Sequence, residues 1–284
     1  MELKNLSLSI CIPTYNRKNR LEQTLDVLVP ALSKFQTLEI IVSDNCSVDG
    51  TDQIREKYAD SLRWNTNSKN LGLLGNLKRL YEISNGKFIW FVGDDDYVSI
   101  EAVASVIKII DENDIDHIFL NHEIVSSGSL TQRKSVVNSE KDLLMTEGSL
   151  ELIDYLGQDY FCQLMFITAN VYKKEKIEKA MGDVSSIVLP LYLTLYIMIY
   201  GKSYVVADSM IINDWSEISW SSHYEEIYTK DIPNVFYLIA SECPSIKSRF
   251  NLLFRFRWIF KYKGLYLKFM LRALKLMRFS GEVK

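Results

Sequence analysis

The sequence predicts an α/β fold, a doubly wound and mostly parallel sheet flanked by helices. Strand-like and helix-like segments alternate through the first 125 residues. Three of the strand candidates end on polar clusters, Pro13 to Arg17, Asp44 to Ser47 and Asp94 to Asp96. In such sheets ligands bind beyond the carboxyl ends of the strands, so all three clusters fall at one functional edge.

Leu8 to Ile12 is a short apolar run that stops at Pro13, and Leu21, Leu25, Leu28 and Leu32 follow at helical spacing. Leu38 to Val42 reads as a strand running to Asp44. Asp49 to Tyr58 then reads as a helix capped by Ser47 or Asp49. A short strand near Leu62 to Trp64 precedes a helix over Leu73 to Ile83, with Gly86 as its stop. Lys87 to Val92 has the β-branched and aromatic density of a central strand. Ser99 caps a helix bearing Val103, Val106, Ile107 and Ile110, and Asp116 to Val125 is a further strand.

The second half is less regular. Ser126 to Asn138 reads as a hairpin or loop, Leu150 to Leu156 as a short helix and Phe161 to Tyr172 as a strand. Ile187 to Tyr200 is apolar for 14 residues, short of the roughly 18 to 20 that a bilayer requires, and Pro190 interrupts it. It reads as a buried helix, with a short strand, Tyr204 to Ala207, after it.

Composition fits a soluble globular protein: 284 residues, 48% hydrophobic and 24% charged. Cys11, Cys46, Cys162 and Cys243 have neither metal-site nor disulfide-framework spacing, which points to a reducing compartment. MELKNLSLSICIP lacks the pattern of a signal peptide. The net charge of -3 hides an asymmetry: residues 247–284 hold 11 Lys or Arg against one acid, leaving 22 bases against 35 acids for the rest.

"WFVGDDDYVS" sets Asp94, Asp95 and Asp96 side by side after an apolar run. Buried together, three carboxylates repel unless a cation is present, and a hard ion such as Mg²⁺ or Mn²⁺ suits oxygen ligands. A solvated acidic turn is the alternative. Asp44 is placed to bind a base or ribose and Arg17 a phosphate. Asp44, Asn45 and Ser47 serve equally well as turn formers.

In combination, "IPTYNR", "IIVSDNCSVDGT", "NLGLLGN" and "WFVGDDD" resemble the family 2 glycosyltransferases, inverting enzymes of GT-A fold, across about residues 7–100. The resemblance implies transfer of a sugar from a nucleotide diphosphate sugar to an acceptor hydroxyl. It places Pro13, Tyr15 and Arg17 along the nucleotide pocket and Asp44 on the base. Asn70, Gly72 and Asn76 shape the floor beneath ribose and donor sugar. Asp94 contacts ribose or sugar, Asp95 is the flexible middle position, and Asp96 ligates the metal, Mn²⁺ or Mg²⁺.

The departure lies downstream. The resemblance expects an acidic pair about eleven residues before the Gly that precedes a strand, here Gly201; Leu189 and Pro190 stand there instead. Inverting transfer needs a base near the acceptor hydroxyl, which leaves Asp183 and Asp214 as candidates. His223 is a candidate metal or phosphate ligand. Trp215 and Trp220, in a segment similar to that closing several O-antigen sugar transferases, are candidates to stack on an acceptor sugar. His117 and His122 read as core or sheet-surface residues.

From Phe250 onward, Arg257, Lys261, Lys268, Arg272 and Lys275 share one helical face, and apolar side chains fill the rest. Such amphipathic helices suit an anionic membrane surface. Packing on the body and homodimer formation are the alternatives, and no motif supports nucleic acid. The expected organisation is a catalytic domain over 1–222 (nucleotide-binding half about 1–100, acceptor half about 101–222) and a helical tail over 223–284. The implied protein is a cytoplasmic enzyme, peripheral on the inner face of the membrane, extending a lipid-linked glycan of a bacterial surface polysaccharide. A catalytically silent GT-A protein binding nucleotide sugar or a partner is the rival. A sugar-phosphate nucleotidyltransferase is disfavoured because a glycine-rich loop after the first strand is missing.

Overall fold

The computed structural model describes residues 6–125, 136–149, 151–156, 161–183, 186–214, 224–242 and 271. Its strands are β1 (Leu8–Thr14), β2 (Leu38–Asp44), β3 (Arg63–Thr66), β4 (Phe88–Phe91), β5 (Tyr97–Val98), β6 (His117–Val125), β7 (Leu143–Met145), β8 (Asn170–Lys173) and β9 (Ser203–Asp214). They form one sheet in the order β3-β2-β1-β4-β8-β6-β9-β5, with β7 paired to β9. The β1–β2, β2–β3, β1–β4 and β6–β9 ladders are parallel, and together they hold most of the paired residues. Antiparallel β8 joins the two parallel groups through β4 and β6.

Helices cover both faces: α1 (Lys18–Leu28), α2 (Ala31–Lys34), α3 (Thr51–Lys57), α4 (Gly72–Ile83), α5 (Ile100–Glu112), α6 (Glu151–Leu156), α7 (Lys174–Ile177), α8 (Ala180–Asp183), α9 (Leu189–Tyr200), α10 (Tyr224–Glu226) and α11 (Ile232–Glu242). Side chains on a strand alternate between faces. On β4, therefore, Phe88 and Trp90 enter a core with Leu21, Leu25, Val103 and Val106 of α1 and α5. Ile89 and Phe91 enter the opposite core with Leu77 and Leu80 of α4 and the apolar side chains of α9 and α11. Residues 232–240 of α11 thus share the core of the body.

The apolar run expected as a buried helix is α9, ten of whose twelve residues are buried. Pro190 sits in its first turn, where a missing N–H costs no helical hydrogen bond. No helix among the described residues is long and apolar enough to cross a membrane.

Four expectations need correction. Phe161 to Tyr172 is not one strand: two 3-10 turns, Phe161–Met165 and Ile167–Ala169, precede β8. β9 extends well beyond Tyr204 to Ala207, because a register shift between Leu120 and His122 lets it stay paired with β6 up to Asp214. The helix expected from Asp49 starts at Thr51, and Asp49 serves it from outside, with Oδ1 accepting from the Thr51 N–H (3.2 Å) and hydroxyl (2.5 Å). Gly86 is not the stop of α4, whose C-cap is Ser84. Glycine is needed there for close approach, since a Cβ would lie 2.5 Å from the Ser9 amide nitrogen. Ser126 to Asn138 lies mostly outside the described residues.

Candidate active site

Parallel pairing brings the carboxyl ends of β1, β2 and β4 side by side, so the three polar clusters do converge. Two loops are zipped together there. The Asn16 N–H donates to Ser47 Oγ (2.8 Å), the Val48 N–H to Asn16 Oδ1 (2.8 Å) and the Lys18 N–H to Asp49 Oδ2 (2.9 Å). Asn16 and Cys46 adopt positive φ, 54° and 67°, a conformation that asparagine tolerates better than most residues.

The aspartates have separate partners. Asp94 is buried; its Oδ2 accepts from the Thr14 hydroxyl (2.7 Å), its Oδ1 from Arg17 (3.3 Å) and its carbonyl from the Thr24 hydroxyl (3.0 Å). Asp95 is half-buried and ion-pairs closely with Arg17. Asp96 is buried, and its Oδ2 accepts from the Thr168 hydroxyl. Burial pushes the Asp94 carboxyl up to about 6 against the pull of Arg17 and Thr14. Asp96 is pushed to about 7, again by burial, with Thr168 opposing and the charges of Asp95 and Asp94 adding to the rise.

Two buried carboxylates with raised pKa values form a site short of positive charge. A Cβ at Gly93 would lie 2.4 Å from Asp96 Oδ2, so glycine alone leaves room for that carboxylate. Besides Thr168 on Oδ2, the Gly93 backbone N–H also favours the Asp96 carboxylate, and no other side chain among the described residues donates to it. Among those residues no three His, Cys, Asp or Glu side chains converge to hold a metal. The donor set therefore fits an ion that takes one or two carboxylates and completes its shell with water and phosphate oxygens, as Mg²⁺ and Mn²⁺ do.

Beyond β2 and β3 opens a cleft of about 430 Å³ whose lining includes Asp44, Val48, Arg55, Trp64 and Thr66. Asp44 Oδ1 accepts from the Ser47 N–H (3.0 Å), a turn-forming contact, while Oδ2 has no partner among the described residues. The turn-forming reading of Asp44 is borne out, and it leaves Oδ2 available to a ligand. Next to Asp44 in the chain, Asn45 is the hub of an asparagine network. Asn45 donates to Asn70 Oδ1 (2.8 Å) and the Gly72 carbonyl (3.2 Å), and its Oδ1 accepts from Asn67 (3.0 Å) and the Leu71 N–H (2.9 Å). Asn76 is buried and spent internally, donating to the Ser43 carbonyl (2.8 Å) and accepting from Asn67 (3.0 Å). The resemblance singles out Asn70, Gly72 and Asn76; Asn67 is not among the sequence candidates and Asn45 is one only as a turn former, yet these two tie the others together. Pro13 is buried in β1, whereas Tyr15 is exposed beyond it.

The family model for glycosyl transferase family 2 matches residues 9–167, a span that holds both the cleft and the aspartate corner. The chain belongs to that family. Proteins with similar sequences include the abequosyltransferase RfbV of Salmonella typhimurium, 34% identical over 108 residues (37% of this chain, 32% of that protein). A GalNAc(5)-diNAcBac-PP-undecaprenol beta-1,3-glucosyltransferase of Campylobacter jejuni is 28% identical over 176 residues (60% and 53%). The chain thus spans about a third to a half of the length of these relatives. The crystal structure of S. aureus TarS 1–349 in complex with UDP-GlcNAc superposes with a TM-score of 0.67 at 20% identity, covering 95% of this chain and 79% of that one. The mannosyltransferase PcManGT from Pyrobaculum calidifontis in complex with GDP-Man and Mn²⁺ gives 0.62 at 14% identity, covering 99% and 77%. The fold is that of GT-A glycosyltransferases.

The remaining candidates are scattered. Leu189 and Pro190 are buried in the first turn of α9 and offer no carboxylate. Asp183 is exposed at the end of α8, accepting from the Tyr192 hydroxyl (2.9 Å), and no contact among the described residues ties it to the aspartate corner. Asp214 ends β9, its backbone paired with Val125. Trp215, Trp220 and His223 lie outside the described residues. His117 and His122 are core residues: His117 bonds Ser203 (3.1 Å) and Asn170 (3.0 Å), and His122 bonds Gln163 (2.9 Å).

Proposed function

We propose that the chain transfers a sugar, with inversion, from a nucleotide diphosphate sugar to an acceptor hydroxyl on a lipid-linked glycan of a bacterial surface polysaccharide. The observation that carries this reading is the pairing, inside the family-matched span, of a cleft at Asp44 with a buried carboxylate pair at Asp94 and Asp96. Asp44 Oδ2 accepts hydrogen bonds from the base. Tyr15 and Arg17 line the path of the diphosphate, and Asn70 and Gly72 bound the sugar. Asp94 accepts from ribose or sugar. Asp96 holds Mn²⁺ or Mg²⁺, which when bound stabilises charge on the departing diphosphate. Asp214 or Asp183 takes the acceptor proton, and Trp215 and Trp220 stack on the acceptor. The Campylobacter relative's name includes an undecaprenol diphosphate acceptor, which supports the lipid-linked part of the reading. The basic composition of the tail supports a location at the cytoplasmic face of an anionic membrane.

The test is slow hydrolysis of a panel of nucleotide sugars in the presence of Mn²⁺. The expected result is one preferred donor whose hydrolysis Asp96→Ala abolishes. Leu189 and Pro190 at the place of the expected acidic pair favour a second reading, a silent nucleotide-sugar binder. Donor binding without hydrolysis or transfer across the panel would select it.

A further inference from the structure

We propose that Thr168 is a positioning residue for Asp96, orienting the carboxylate so that one oxygen stays free for the cation. The inference rests on Asp96 being the metal-holding carboxylate. Thr168 lies one residue past the family-matched span, in the 3-10 turn before β8, and is fully buried. Its hydroxyl stands between two groups. The Gly93 N–H donates to Thr168 Oγ1 (2.9 Å), and Thr168 Oγ1 contacts Asp96 Oδ2.

A hydroxyl has one proton to give. Because the Gly93 N–H already uses Oγ1 as an acceptor, the Thr168 proton points to Asp96 Oδ2. The turn that carries Thr168 is itself anchored, since the Trp90 indole N–H donates to the Thr168 carbonyl (2.8 Å). Trp90 and Gly93 belong to β4 and the acidic turn after it, so Thr168 reads the position of the backbone on which Asp96 sits. Gly93 completes the cradle from the other side, because any Cβ there would displace Oδ2. Groups that hydrogen-bond a metal-ligating carboxylate fix its orientation, and their loss typically lowers metal affinity about 10–100-fold.

The test measures Mn²⁺ binding to the full chain by electron paramagnetic resonance of free Mn²⁺, without nucleotide. Thr168→Val is expected to weaken binding about 10–100-fold. Thr168→Ser, which keeps the hydroxyl, is expected to restore it. Melting temperatures without metal report whether each variant folds. Should Thr168→Val not fold, Thr168→Ala, which also removes the hydroxyl, carries the same expectation of weakened Mn²⁺ binding. Wild-type affinity in folded Thr168→Val or Thr168→Ala, with binding lost in Asp96→Asn, overturns the role of Thr168 alone. Undiminished binding in Asp96→Asn overturns the reading of Asp96, and the role of Thr168 with it.

Discussion

The Thr14 hydroxyl donates to Asp94 Oδ2 at 2.7 Å, joining the end of β1 to the turn after β4 across 80 residues of chain. Thr24 of α1 holds the carbonyl of the same aspartate (3.0 Å). Three adjacent carboxylates therefore have partners from two distant parts of the chain: Thr14 and Arg17 at the β1–α1 junction for Asp94 and Asp95, and Thr168 for Asp96. A solvated acidic turn would need none of them. Only Asp95 is left half-exposed, and it holds Arg17.

The contribution of Asp94 and Asp96 to stability without metal should fall with rising pH. The carboxyls of Asp94 and Asp96 are raised by burial to about 6 and about 7, so the folded protein holds protons that the unfolded chain releases near pH 4. Their contribution is present below that pH and is lost as pH rises through 7. Asp96→Asn should stabilise the metal-free protein at pH 8 by on the order of 2 kcal/mol and change it little at pH 4. Urea midpoints in the presence of a chelator at the two pH values check this.

Asn45→Ala should both destabilise the protein and weaken donor binding. It removes a side chain that joins Asn67, Asn70, Leu71 and Gly72, leaving buried Asn67 short of an acceptor. The expected cost is about 1–3 kcal/mol. A raised donor KM with a smaller change in kcat would mark the asparagine network as a binding element.

Gly86→Ala should destabilise by about 1–3 kcal/mol or more, because the new methyl meets the backbone of β1, which cannot swing aside as a side chain would. Thermal unfolding measures it. Donor affinity should survive in the folded fraction, since Gly86 lies at the opposite end of β4 from the aspartates.

Removing residues 250–284 should lower sedimentation with anionic liposomes and leave donor hydrolysis largely intact. Each lost base near such a surface is worth on the order of 1 kcal/mol. Equal sedimentation of both forms would assign the tail to another role.

The nucleotide half of the fold was legible because its signals are local. Apolar runs mark β1, β2 and β4, the Ser99 side chain caps α5 by accepting from the Ala102 N–H (3.1 Å), and the polar clusters sit where strands end. Thr168 was not legible. Its contact with Asp96 spans 72 residues, and it lies in a stretch whose apolar density imitates a strand. Asn170, likewise buried, turns inward to His117 and the Phe166 carbonyl, a tertiary role that periodicity cannot register. Gly86 misled for a related reason: after a helix, glycine usually answers the helix, but here it answers the neighbouring strand.

The most direct measurement is calorimetric affinity of the full chain for the nucleoside diphosphate of its preferred donor, with and without Mn²⁺, in wild type and Asp96→Asn. The account predicts that Mn²⁺ tightens binding roughly tenfold or more in the wild type and has no effect in the variant. Equal affinity with and without Mn²⁺ in the wild type would contradict it.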